Sequence, residues 1–340
     1  GYSTWMERPA GQFVQPVDQL TISAWVAPRS YEWGDLGQMS AIVNQHDKGQ
    51  GTGYILGMGR HGTWSFQAGV SGAWYEVWAD EEKPLRRDEW AYVVAMLDAQ
   101  HGTMALYLNG ERVGETAVPA GSRLATTTED LVIGRHNQAA VLNGVFRANM
   151  FNGLIDELQI NDRAASEEEI RVAYKEYLEP FGGAAPTPDT EQKRARYDGD
   201  RHRPQYHYVP PEHWMNEPHA PLYYDGQYHI FYQHNPQGPY WHHIHWGHAV
   251  SDDMVHWVDQ PWALAPEAGS VAPDGVWSGD ADLDANGEPV LFITAGDDSQ
   301  VPNQNVGLAL PLEPANPLAD WEMHGELIIV QEPDQLVEIE

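Results

Sequence analysis

The sequence predicts an all-β protein, with an N-terminal β-sandwich followed by the first blades of a β-propeller. Three observations predict it. Apolar and polar residues alternate in short runs through the first half of the chain, with turn residues between the runs, as in a row of half-buried strands. Gly and Pro, at 32 and 24 of 340 residues, supply the turns that many short strands need. After Tyr206 a hairpin followed by a further strand occurs twice, with 61 residues from Asp225 to Asn286 in its two turns. Four-stranded units repeated at a fixed period are the mark of a propeller.

Taken in order, Leu20, Ile22, Ala24 and Val26 alternate with Thr21, Ser23 and Trp25, a half-buried strand. Similar runs follow at Tyr54–Met58, Trp64–Val70, Trp74–Ala79, Trp90–Leu97, Met104–Leu108, Leu131–Ile133 and Leu154–Ile160. Asn109-Gly110 separates Met104–Leu108 from Glu111–Gly114, a hairpin signal because both residues tolerate positive φ. One helix is expected at the end, where Ser166 and Glu169 form a capping box ahead of Ile170, Val172, Ala173 and Tyr174. Pro180, Gly182, Gly183, Pro186 and Pro188, then a charged run around Lys193–Arg196, read as a linker. The expected domains are therefore 1–178 and 204–340, joined by residues 179–203.

In the second domain Leu222–Tyr224, an Asp225-Gly226 turn and Tyr228–Tyr232 form a hairpin, followed by a strand at Ile244–Ser251. Val276–Leu283, an Asn286-Gly287 turn, Val290–Thr294 and Val306–Leu310 repeat the layout. A propeller closes with at least about four blades. Residues 206–340 supply about two at this period, so the chain is expected to stop inside the second domain. It also opens on Gly1 without Met, which reads as a processed or truncated start, so a missing signal peptide carries no information.

Asp and Glu number 50 against 19 Lys and Arg, a net charge of −31, and only four of the cations are Lys. Such a surface repels phosphate backbones and anionic lipid, which argues against nucleic-acid and membrane partners. No Cys is present, which excludes disulfides, thiolate metal sites and Cys nucleophiles. No apolar run reaches the 18 or so residues of a membrane-spanning helix. The 14 Trp fall into two groups of seven, Trp5 to Trp90 and Trp214 to Trp321.

The segment densest in chemistry is His213-Trp214-Met215-Asn216-Glu217-Pro218-His219-Ala220-Pro221. It sets one carboxylate on an expected turn between aromatic and Pro residues, ahead of the first hairpin. Glycoside chemistry requires such a carboxylate held rigidly beside the anomeric carbon. A surface Glu in a turn is the plainer alternative.

Trp214-Met215-Asn216-Glu217-Pro218 resembles the Trp-Met-Asn-Asp-Pro-Asn-Gly motif of glycoside hydrolase family 32, the invertases, levanases and inulinases. The resemblance continues through Tyr228-His229-Ile230-Phe231-Tyr232-Gln233-His234-Asn235-Pro236, Trp241 and His245-Trp246-Gly247-His248-Ala249-Val250-Ser251. Asp253, Val255, His256 and Trp257 follow, and Trp277-Ser278-Gly279-Asp280 is similar to the family's Phe-Ser-Gly-Ser segment. Order and spacing are kept over roughly residues 206–300. The resemblance implies a five-bladed propeller and a retaining attack on β-fructofuranosyl linkages of sucrose, levan or inulin type. It assigns the nucleophile to Glu217 and places Asn216, Gln233, Trp241, Trp277 and Ser278 around the fructosyl ring. Such enzymes are secreted and need no cofactor.

Several positions depart from the family pattern. Glu217 is one methylene longer than Asp, and a misplacement of about 1 Å can cost a factor of about a hundred in rate unless the backbone compensates. Asn and Gly after the Pro become His219 and Ala220, and the last Ser becomes Asp280. The family's stabilising Arg-Asp-Pro and its Glu-Cys acid/base motif do not occur before Glu340, so residues 1–340 alone are expected not to turn over substrate. A fructotransferase, or a protein that binds fructan without cutting it, is the alternative.

Leu20-Thr21-Ile22-Ser23-Ala24-Trp25-Val26, Trp90-Ala91-Tyr92-Val93-Val94, Leu106-Tyr107-Leu108-Asn109-Gly110-Glu111 and Phe151-Asn152-Gly153-Leu154-Ile155-Asp156-Glu157-Leu158 resemble laminin-G or concanavalin-A-like jelly rolls. Such modules often bind glycans, sometimes with calcium, but the sequence identifies no calcium ligands, and Asp156 is expected to fix a turn. Packing alone would equally account for the module. Eleven of the 16 His lie from His202 to His256. A zinc site among His242, His243, His245 and His248 is disfavoured, because strand alternation puts His243 and His245 on one face and His242 and His248 on the other.

Overall fold

Strand alternation and turn chemistry build two units, 1–191 and 192–340. The computed structural model describes residues 4–32, 38–191, 193–204, 206–312 and 320–331. The chain ends Gly1 and Glu340, which bear on the expected truncation, lie outside the described residues.

In the first unit the strands run β1 Met6–Arg8, β2 Gln19–Pro28, β3 Ser40–Asp47, β4 Thr52–Met58, β5 Trp64–Val70, β6 Ala73–Trp78, β7 Ala91–Asp98, β8 Thr103–Leu108 and β9 Glu111–Ala117. Then come β10 Leu131–Ile133, the short ribbon β11 Val141–Leu142 and β12 Phe146–Arg147, and β13 Gly153–Asn161. They form a six-stranded sheet, β1-β10-β3-β4-β5-β6, and a five-stranded sheet, β13-β2-β7-β8-β9. Leu20, Ile22, Phe66, Val93 and Leu106 are among the buried side chains of its main core.

β2 is not half-buried as its alternation predicts. Trp25 and Thr21 are also buried, because helix α1 (Glu167–Leu178) covers the outer face of that sheet. Tyr177 stacks on Trp25 at 4.3 Å, and Ile170 and Leu178 join the same cluster. The capping box forms as predicted, with the Ser166 hydroxyl accepting from the Glu169 amide and the Glu169 side chain accepting from the Ser166 amide. At the β8–β9 hairpin Asn109 and Gly110 take φ of 53° and 85°, and the Asn109 side chain accepts from the Tyr92 amide. Asp156 sits at a bulge in β13 and accepts from the amide of Glu157, which has φ 50°.

The second unit contains two four-stranded antiparallel sheets with the order of propeller blades. The first is β14 Trp214–Tyr224, β15 Gln227–Asn235, β16 His245–Ser251 and β17 Val258–Leu264. The second is β18 Gly275–Leu283, β19 Pro289–Gly296, β20 Gln304–Pro311 and β21 Trp321–Met323. Phe231, Trp246, Val276, Leu291 and Ile293 share one buried cluster that spans both sheets.

Asp225 and Gly226, with φ of 46° and 82°, make the predicted tight turn. The second hairpin differs. It closes through a longer loop, Asp284 to Glu288, because the Asp284 carboxylate accepts from the amides of Asn286 and Glu288. The charged run of the expected linker is tied down. Arg194 makes a two-pronged bond to Asp259 at 2.6 and 2.7 Å and lies over the Tyr208 ring.

Candidate active site

The carboxylate of the first motif is not on a turn. Glu217 lies within β14, where the pairing with β15 shifts between Met215 and Pro218. Met215 pairs with His234 and Pro218 with Tyr232, so Asn216 and Glu217 together oppose Gln233. Such a bulge re-aims side chains, and here Asn216, Glu217 and Pro218 are exposed in succession, breaking the two-residue period. A second shift follows between His219 and Leu222, with Ala220 at φ 50°.

Across from this bulge, the Ser278 hydroxyl on β18 donates to Glu217 Oε1 at 2.5 Å. The Gln233 amide nitrogen donates to Ser278 Oγ at 2.8 Å and lies 3.4 Å from Glu217 Oε1. These bonds hold the Glu217 side chain in one orientation. Gln233 is buried while Glu217 is open to solvent, leaving the carboxylate accessible with its support sequestered.

The other expected site residues stand apart from this hydrogen-bonded trio. Asn216 is exposed beside Glu217, and Trp241, 52% exposed, occupies the loop between β15 and β16 with its ring 6.5 Å from that of His242. Trp277 is half-buried, and its indole packs so closely on Gly275 and Gly296 that a Cβ at either would lie within 3 Å of it.

Two residues that the motif contained without an assigned role come into this region. His219 is buried, its ring 4.2 Å from that of Trp246, and neither ring nitrogen has a hydrogen-bond partner. Burial holds its pKa down to about 4, against the opposing pull of Glu217 and Asp280. Trp246 donates its indole N–H to the Trp277 carbonyl at 2.6 Å. No periodic pattern announces that bond, since it joins residues 31 apart in sequence.

His229 and His248 pack with each other and with Phe231. His229 Nδ1 and His248 Nε2 lie 3.0 Å apart, and His248 stacks on Phe231 at 4.5 Å. The expected face-sharing of His243 with His245 and of His242 with His248 does not arise, because β16 begins only at His245. Among the described residues no group of three or more His, Asp or Glu is placed to hold a metal ion. Asp253 accepts from the amides of Val255 and His256 and shapes a turn.

Residues 207–338 match the family described as Glycosyl hydrolases family 32 N-terminal domain, and residues 1–171 match the Concanavalin A-like lectin/glucanases superfamily. An acid beta-fructofuranosidase of Phaseolus vulgaris is 43% identical over 133 residues, covering 38% of this chain and 20% of that protein. A cell wall isozyme of beta-fructofuranosidase from Zea mays is 42% identical over 131 residues, covering 38% and 22%. Among solved structures, fructan 1-exohydrolase IIa from Cichorium intybus is 36% identical, with a TM-score of 0.34, over 36% of this chain and 22% of that chain. The chain thus spans about a fifth of the length of the curated relatives it matches. Through residues 1–171 the chain belongs to the concanavalin A-like lectin/glucanases superfamily.

Proposed function

We propose that Glu217 is the nucleophile of a retaining hydrolase acting on β-fructofuranosyl linkages of sucrose, levan or inulin type. One observation carries this reading: Ser278 and Gln233 fix a solvent-open carboxylate at a strand bulge. The family 32 match of the second unit and the β-fructofuranosidase relatives support the substrate class. Glu217 attacks the anomeric carbon as the glycosidic C–O bond breaks, and a general acid protonates the leaving oxygen. Water then attacks the same carbon, releasing fructose and restoring the carboxylate. Asn216, Gln233 and Ser278 offer hydrogen bonds to the ring hydroxyls, while Trp241 and Trp277 offer flat apolar faces. The general acid and a stabilising carboxylate are assigned to no residue of this chain.

In this reading residues 1–178 are a sandwich module, 179–203 a linker and 204–340 about two blades of a propeller, and the protein is secreted, as a cell wall relative suggests. A second reading, fructosyl transfer or fructan binding without cleavage, is favoured by Glu217 itself and by His219, Ala220 and Asp280, which depart together from the family motif. Incubating the complete protein with sucrose, levan and inulin separates these. Free fructose that disappears in Glu217→Gln supports hydrolysis. Longer fructo-oligosaccharides indicate transfer. Binding without any product, unchanged in Glu217→Gln, overturns the nucleophile assignment.

A further inference from the structure

We infer that Trp246 is a positioning residue that holds Glu217, Gln233 and Ser278 in register with one another across two sheets. The inference rests on the proposed role of Glu217. The Trp246 indole is fully buried, and a buried indole N–H needs an acceptor. It finds the carbonyl of Trp277, the residue before Ser278. On the other side of Ser278, Gly279 sits directly on the same ring. A Cβ there would lie 2.8 and 2.9 Å from Cζ2 and Cη2 of Trp246. The peptide units flanking Ser278 are therefore both referenced to one indole.

The same residue is tied to the strands that carry the other two members. Trp246 is the cross-strand partner of Gln233 in the β15–β16 ladder. Its ring also supports His219, two residues beyond Glu217 on β14, at 4.2 Å. His219 can lie against it as a neutral plate because burial keeps its imidazole unprotonated at ordinary pH. The β14–β15 and β18–β19 ladders each shift register beside these residues. A single rigid ring against His219 on β14, Phe231 on β15 and Gly279 on β18 fixes the three strands relative to one another, the kind of support that holds a side chain within a fraction of an ångström of its donor.

Trp246→Phe keeps an aromatic ring and deletes the N–H and the six-membered edge under Gly279. In the complete protein we expect kcat to fall at least about tenfold with KM changing less than about twofold, since positioning is lost rather than substrate binding. A second readout needs no turnover. In this chain, one side-chain N–H of Gln233, identified by its loss in Gln233→Glu, is expected to exchange slowly because it is bonded to Ser278. We expect exchange at least about fivefold faster in Trp246→Phe, with backbone amides of β15 and β16 still protected. His219→Ala, which withdraws the plate and leaves the N–H in place, moves both readouts in the same direction by less and stands in if Trp246→Phe does not fold. Unchanged Gln233 exchange in every variant that folds overturns the inference, as does a loss of kcat matched by a rise in KM. A wild-type protein without fructosidase turnover overturns the proposed function, and Gln233 exchange then still decides the role of Trp246.

Discussion

His219→Leu should make the second unit less sensitive to acid. His219 is buried with both ring nitrogens unpartnered, and burial holds its pKa down to about 4 against the ordinary 6.5. Above pH 6.5 the imidazole is neutral in both folded and unfolded chains, and folding carries no protonation penalty. Below 6.5 the unfolded chain takes up a proton that the folded chain refuses until about pH 4, so stability is lost as pH falls through that window. Each unit of difference is worth about 1.4 kcal/mol, so His219 alone should withdraw about 2–3 kcal/mol between pH 7.5 and pH 4.5. The Leu variant lacks this group and should lose about that much less over the same interval. Buried His46 and His136, lowered mainly by desolvation, and His248, lowered for the same reason, titrate alike in both proteins and cancel from the comparison. Urea unfolding at the two pH values, read by pulsed hydrogen exchange on peptides from β15 and β16, reports the second unit by itself. Parallel losses in wild type and variant, within about 0.5 kcal/mol, would refute the claim that the fold keeps this imidazole neutral.

Ser278→Ala removes the shortest donor to Glu217 and the acceptor of Gln233. Fructose release by the complete protein should fall about ten- to a hundredfold, and steady-state kinetics that show no fall would count against the trio. Asp259→Ala strips Arg194 of its two-pronged partner and Tyr208 of an acceptor in a partly buried setting, and should lower unfolding stability by about 2–3 kcal/mol in urea titration. Ser166→Ala deletes the cap of α1 and should cost about 1 kcal/mol, read as a lower melting temperature of the first unit.

Much of this architecture is legible in residue patterns, because local chemistry and tertiary structure agree there. The Asn109-Gly110 hairpin and the Ser166–Glu169 box are such places, as is the repeated strand layout of the second unit. Strand β3 is the counter-example. Asn44, Gln45 and His46 are polar and belong to none of the alternating runs, yet all three are buried. Asn44 donates to the carbonyls of Val132 and Arg135, and Gln45 to that of Glu129, partners more than 80 residues away. A polar side chain that is satisfied at long range looks, in sequence, like one that faces water. The loop at Asp284 is missed for a related reason. Asn-Gly predicts a two-residue turn, but the preceding Asp offers its own carboxylate to two amides and captures the turn first.

The candidate site shows why pattern reading placed Glu217 on a turn when it lies within a strand. Strand alternation identifies an element only while successive residues face opposite ways. Between Met215 and Pro218 two residues oppose one, and three consecutive side chains are exposed. Two residues on, Ala220 adopts φ 50°, a backbone state that favours Gly and costs an L-residue about 1 kcal/mol or more. A segment with exposed polar residues, two Pro and a left-handed residue resembles a turn by every local criterion. It is held in the ladder by contacts on both sides of the irregularity: His219 against Trp246, and Glu217 against Ser278. Those contacts bear on the length of Glu217 as well. At a bulge the Cα position is set by how the extra residue is absorbed, so the reach of the carboxylate depends on backbone and side chain together. The Glu217 carboxylate, added methylene included, lies 2.5 Å from the Ser278 hydroxyl at this bulge.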